Sequence, residues 1–162
     1  MENNSKSSMN PFEIHVEECV LDDLAERIRK TRWPGEIKDS GWDYGSNLQY
    51  IRELCEYWQN SFDWRKQEAK LNAFANFKAD VSGLELHFIY EKGRGPNPIP
   101  LVITHGWPST FAEMVDIIPR LTDPGSFGGD PSDSFDVIVP SLPGYGYSEK
   151  PSTSGMDVPE IA

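Results

Sequence analysis

His105-Gly106-Trp107-Pro108 is the stretch whose residue types and order could do chemistry. It follows Leu101-Val102-Ile103-Thr104, an apolar and β-branched run that reads as a strand covered on both faces, as in a parallel sheet. Gly106 lets the backbone bend sharply, and Pro108 removes a donor and fixes the turn. A helix candidate starts near Thr110 or Phe111. Strand, glycine turn and helix start together can place a free backbone N–H at the carboxyl end of a sheet, where it can stabilise a developing oxyanion. A second turn, Pro143-Gly144-Tyr145-Gly146-Tyr147-Ser148, follows another apolar run, Phe135–Pro140. Both turns follow parallel strands, so they meet at the sheet edge where open α/β sheets bind ligands. Two glycine-and-aromatic turns there imply a pocket with an apolar wall; the alternative is two tight turns that bury their aromatics.

Other chemistry is missing from the chain. There is no Gly-x-Ser-x-Gly and no Gly-x-Cys-x-Gly, and the Gly-x-Asp-x-Gly at Gly41 to Gly45 lies in a link between helices, not on a strand–turn–helix elbow. Of the three histidines, His15, His87 and His105, none has a nucleophile beside it in sequence, and each reads as structural or superficial. His105 is expected to fix its loop rather than move protons. Ser109 and Ser148 follow tight turns but lack flanking elbow glycines, which makes them poor nucleophiles. No metal-ligand spacing and no phosphate-binding glycine loop occur, so neither a metal nor a cofactor is expected.

The balance of 15 basic against 26 acidic residues, net −11, argues against nucleic acid or an anionic membrane as partner. Cys19 and Cys55 make no paired motif and read as reduced thiols of a cytoplasmic protein. No apolar run approaches the roughly 18 residues of a membrane span, and the polar start lacks the apolar core of a signal peptide.

These residues need a scaffold to position them. Residues 1–11 read as a disordered tail. Val16 to Arg32 is an amphipathic helix with Leu21, Leu24 and Ile28 on one face, stopped by Trp33-Pro34-Gly35. The link Gly41-Trp42-Asp43-Tyr44-Gly45 is expected to pin itself to a neighbouring surface, with ligand contact as the second reading. Helices follow at about Asn47 to Trp58 and, after the cap candidate Asp63, Trp64 to Phe74. This helical part, 12–75, holds too little apolar area for a good core of its own and is expected to wrap something larger.

From Phe77 the pattern alternates, and Ser82-Gly83 signals a β-hairpin between Phe77–Val81 and Leu84–Glu91. Phe111, Met114, Val115, Ile118 and Leu121 space as one helix face, with Pro119 trimming its end. Residues 101–140 therefore form a right-handed βαβ crossover. The fold class is α/β: a helical meander, then a hairpin and a βαβ unit that begin a sheet over 76–162.

At this point the chain resembles an epoxide hydrolase of the α/β-hydrolase superfamily, of the microsomal and juvenile-hormone type. Thr31-Arg32-Trp33-Pro34, Gly41 to Gly45, Tyr57-Trp58, Phe62-Asp63-Trp64-Arg65, Leu71-Asn72, His87-Phe88-Ile89-Tyr90, His105 to Pro108 and Pro140 to Gly146 carry the likeness, in that order. The resemblance implies that an aspartate opens a small apolar epoxide to give an ester, and that a histidine backed by an acid activates water to release a vicinal diol, a detoxifying reaction. On this chain it implies the Trp107 N–H as an oxyanion-hole donor, a cis Trp107–Pro108 peptide, and His105, Gly106, Pro108 and Tyr145 as turn support and pocket wall. It places the nucleophile, acid, catalytic histidine, cap tyrosines and fifth strand beyond Ala162. The chain is therefore expected to be an inactive piece of a hydrolase. With strands ordered first, second, fourth, third, fifth, the strand at Leu101–His105 would be an exposed apolar edge, open to a second copy or to the missing half. A dehalogenase-like hydrolase and a non-catalytic pairing module are the alternatives.

Overall fold

Ser82 and Gly83 close the hairpin because both take positive φ, 55° and 84°, which two-residue loops between twisted strands favour. The Asp80 carboxylate accepts the Gly83 N–H at 3.1 Å. The computed structural model in which this is seen describes residues 8–161. In chain order the elements are β1 (Asn10–Pro11), α1 (Glu18–Arg29), α2 (Leu48–Asn60), α3 (Trp64–Leu71), β2 (Asn76–Val81), β3 (Leu84–Glu91), β4 (Ile99–Val102), a 3₁₀ turn (Phe111–Met114), α4 (Ile118–Thr122), two further 3₁₀ turns, β5 (Phe135–Pro140) and α5 (Val158–Ile161). The chain divides into a helical unit, His15–Glu68, and a sheet unit made of the residues on either side of it.

The sheet order is β1-β2-β3-β5-β4, with β4 and β5 parallel and the other pairs antiparallel. From β2 onward this is the expected order. Asn10 and Pro11 depart from the expected tail: they pair with Lys78 and Phe77 of β2. Residues 1–7 of that tail lie outside the described residues. The entry is held by a reciprocal pair, Ile14 N–H to Asn72 Oδ1 and Asn72 Nδ2–H to Ile14 O, both 2.8 Å.

Two further expectations are corrected. First, the strand before His105 is not covered on both faces: Ile99 and Val102 are 57% and 58% exposed, because β4 has β5 as its one strand neighbour among the described residues. Second, the single helix after Thr110 is two short pieces. Pro119 sits in the first turn of α4 and does not trim its end, since a proline lacks an N–H and is tolerated where that donor would be unpaired anyway. Phe111 and Ile118 are nevertheless buried. In β3 the row Leu84, Leu86, Phe88 and Tyr90 is half-buried, while His87 and Ile89 of the other row are fully buried, as are Val137 and Val139 of β5.

In the helical unit no residue of α1 or α2 is fully buried. Local bonds shape it instead. Asn47 caps α2 by accepting the Tyr50 N–H at 2.9 Å, and Asp63 accepts the Lys66 N–H at 3.1 Å at the start of α3. In the Gly41–Gly45 loop Trp42 and Tyr44 are 59% and 81% exposed, and the Trp42 ring lies 5.3 Å from Tyr50 of α2. A depression of about 310 Å³ in this unit is lined by Trp33, Ile37, Tyr44 and Ile51 among others. Among the described residues no helix is long and apolar enough to cross a membrane.

Candidate active site

The carboxyl ends of parallel β4 and β5 carry the two turns singled out in the sequence. Ile103 extends the pairing of β4 by donating to Ile138 O at 2.9 Å, and the chain then leaves the sheet. The Trp107–Pro108 peptide is cis, and the Ser109 N–H donates to Gly106 O at 2.7 Å, closing the turn. The Trp107 N–H has no hydrogen-bond partner among the described residues, and Trp107 is 84% exposed. A free donor at the carboxyl end of a strand is the group an oxyanion needs.

His105 ties this turn to the second one. It is 4% exposed, and its Nε2 accepts the Leu142 N–H at 3.1 Å. Accepting at Nε2 leaves the ring proton on Nδ1, which lies 3.5 Å from Gly106 O. The imidazole edge meets the Tyr145 ring at 5.2 Å. His105, Gly106, Trp107 and Pro108 are thus brought together with Tyr145, and His105 is a brace between loops.

The second turn needs glycine at one point above all. Gly146 has φ +51°, and a Cβ there would lie 2.5 Å from Ser141 Oγ. Ser148 is buried and both its capacities are used, since it accepts the His87 N–H at 2.9 Å and donates to Ser141 O at 2.7 Å. The Ser109 hydroxyl is bonded to the Glu113 carboxylate. Neither serine is set up to attack a substrate.

The sequence reading missed the buried polar chain beneath this edge. His87, fully buried in β3, bonds through Nδ1 to Ser141 Oγ at 2.8 Å and through Nε2 to Asn76 Oδ1 at 3.0 Å. Phe111 and Tyr147 meet its ring edge-on at 4.8 and 5.4 Å. Burial, and then the charge of Lys78, push its pKa down to about 4. The available signal was a histidine on the same alternating row as Ile89. Its partners Asn76, Ser141 and Ser148 lie 11, 54 and 61 residues away and carry no local mark. Among the described residues no group of three or more His, Cys, Asp or Glu could hold a metal ion.

Known proteins share this fold. Juvenile hormone epoxide hydrolase from the silkworm Bombyx mori superposes with a TM-score of 0.84 at 31% identity, over 96% of this chain and 37% of that one. The Aspergillus niger epoxide hydrolase gives 0.78 at 31% identity, over 91% and 38%. Epoxide hydrolase 1 of Sus scrofa is 42% identical over 154 residues, 93% of this chain and 34% of that protein. The sheet order and the paired turns define an α/β-hydrolase fold, as in those enzymes. Residues 9–114 match the family model described as epoxide hydrolase N terminus, and the chain belongs to that family. It spans about a third of the length of the curated relatives it matches.

Proposed function

We propose that this chain supplies the oxyanion-hole turn of an epoxide hydrolase that converts small apolar epoxides to vicinal diols through an aspartyl ester. The free Trp107 N–H, held beside the cis Trp107–Pro108 peptide by the His105 brace, is the observation that carries the reading. In this mechanism a carboxylate oxygen attacks an epoxide carbon and the C–O bond breaks. The freed alkoxide takes a proton, and water then attacks the ester carbonyl. The Trp107 N–H bonds the oxyanion of that second step, while the Trp107 and Tyr145 rings line the apolar side of the pocket. His105, Gly106 and Pro108 hold the donor in place. The nucleophile, acid, base and cap tyrosines come from outside residues 1–162, so the chain alone turns nothing over. The exposed β4 edge supports the companion reading that it takes a further strand, from a longer polypeptide or another chain.

A single turnover of styrene oxide in ¹⁸O-water by the native-length polypeptide tests this. An ester intermediate gives unlabelled diol, because the first diol takes its new oxygen from the enzyme; labelled diol from the first turnover means direct attack by water and sinks the reading. W107P, which removes the N–H, lowers kcat by about 10²–10³-fold, whereas W107A keeps the N–H and most of kcat.

A further inference from the structure

We infer that His87 is a positioning residue for the oxyanion turn, acting through Ser141 and the Leu142 N–H on His105. The direction of each bond in this relay is fixed by its neighbours. Asn76 Nδ2 donates to Leu71 O and Phe74 O, both at 2.9 Å, so Asn76 Oδ1 must face His87 as an acceptor. His87 Nε2 therefore carries the proton, and His87 Nδ1 accepts from the Ser141 hydroxyl at 2.8 Å. Ser141 is fully buried, and its backbone N–H donates to His87 O at 2.8 Å, so residue 141 is gripped by both the backbone and the ring of one histidine. Ser148 doubles the grip by taking the His87 N–H and donating to Ser141 O.

The next residue along is Leu142, whose N–H meets His105 Nε2 at 3.1 Å, and His105 precedes Gly106 and Trp107. The relay thus runs from the middle of β3 to the catalytic edge through one peptide and one imidazole. His87, Ser141 and His105 are buried and Leu142 is half-buried, so the bonds at His87 and Ser141 form in a low-dielectric surround where the loss of one is not made good by water. Gly146 completes it, since Ser141 Oγ occupies the space where a Cβ would stand. The catalytic part of this inference rests on the function proposed above; the geometric part does not.

Two conservative variants separate positioning from mere packing. In H87N the side-chain oxygen can replace Nδ1 as acceptor for Ser141, and the bond to Asn76 is lost. In H87Q the side-chain nitrogen can replace Nε2 as donor to Asn76, and the Ser141 hydroxyl loses its acceptor. In the native-length polypeptide, with styrene oxide as probe, H87Q lowers kcat by about tenfold with KM unchanged, and the Leu142 amide exchanges hydrogen faster. H87N keeps kcat within about twofold, in keeping with a retained bond of ordinary strength, and leaves Leu142 exchange near the unsubstituted rate. Equal losses of kcat that follow a shared drop in Tm overturn the inference, as does unchanged Leu142 exchange in H87Q. If the unsubstituted protein forms no diol, the hydrolase reading falls while Leu142 exchange still decides the relay. If H87Q does not fold, S141A gives the same readout: faster Leu142 exchange is expected, and an unchanged rate overturns the relay.

Discussion

The sheet unit and the helical unit differ in what they bury. In the sheet unit Ile14, Ile89, Ile118, Val137 and Val139 are at most 1% exposed, and His87, Asn76, Ser141 and Ser148 are buried with every polar side-chain atom partnered. In residues 15–68 Glu68 is the one buried residue, and α1 and α2 contribute none. Glu68 Oε1 accepts the Val16 N–H at 2.7 Å and the Trp64 indole N–H at 3.1 Å, and its other oxygen accepts from Arg65 at 2.8 Å. Burial alone would raise its pKa; the Val16, Arg65 and Trp64 bonds outweigh that and hold it below the usual range. Helices satisfy their backbone within a few residues, so capped helices around one ion-paired hub can hold their local shape. Strands find partners far along the chain, so order in the sheet unit is gained or lost together.

Core truncation should show that contrast most strongly. Ile89→Ala is expected to cost about 2–5 kcal/mol in urea unfolding, while Leu24→Ala, at a half-buried helix position, costs about 1 kcal/mol or less. Equal losses would remove the distinction.

Acid should come next in size. His87 is held neutral, with its pKa pushed down from 6.5 to about 4, so the unfolded chain takes up its proton first. The stability that neutral His87 contributes is full above pH 6.5, fades between pH 6.5 and 4, and is gone below; its total is about 3 kcal/mol. Unfolding midpoints across that range should slope for the unsubstituted protein and flatten in H87N. A slope that H87N retains places the acid sensitivity elsewhere.

A smaller effect belongs to the helical unit. Asn47→Ala removes the cap bond to Tyr50 and is expected to cost about 1 kcal/mol, seen as faster amide exchange confined to the first turn of α2. If α1 and α3 loosen equally, that unit is more cooperative than its local bonds imply. Least of all, Arg27→Ala breaks an exposed pair with Asp23 and should leave unfolding unchanged. A clear loss there would show a surface bond carrying weight in a unit with little core.

The same contrast explains what could be read in the sequence. The hairpin was legible because Ser82-Gly83 and the alternation beside it are local signals, and β5 because its apolar run is bounded by turn residues. The stretch His105–Pro108 was legible as a turn, and the likeness to epoxide hydrolases pointed to its cis peptide. β1 was not legible, since two residues, one a proline, have no period. The split helix was hidden because Phe111, Met114, Val115, Ile118 and Leu121 fit one helical face, and only the position of Pro119 opposes it. The apolar row of β3 pointed to the less buried face, because a satisfied histidine is as buried as an isoleucine once Asn76 and Ser141 reach it. Those partners come from other elements, which no spacing rule reports.

The placement of β5 between β3 and β4 also sets an order of manufacture. β4 leaves the ribosome before β5 but has no seat until β5 arrives. At synthesis rates of about 5–20 residues per second, the hairpin β2–β3 can close as soon as Glu91 is out, while Ile99, Leu101 and Val102 wait for Phe135–Pro140 to be made. For those seconds the nascent chain offers a short unpaired apolar segment between a finished hairpin and an unfinished sheet. The sheet order therefore specifies a moment in synthesis at which a chaperone has something to hold.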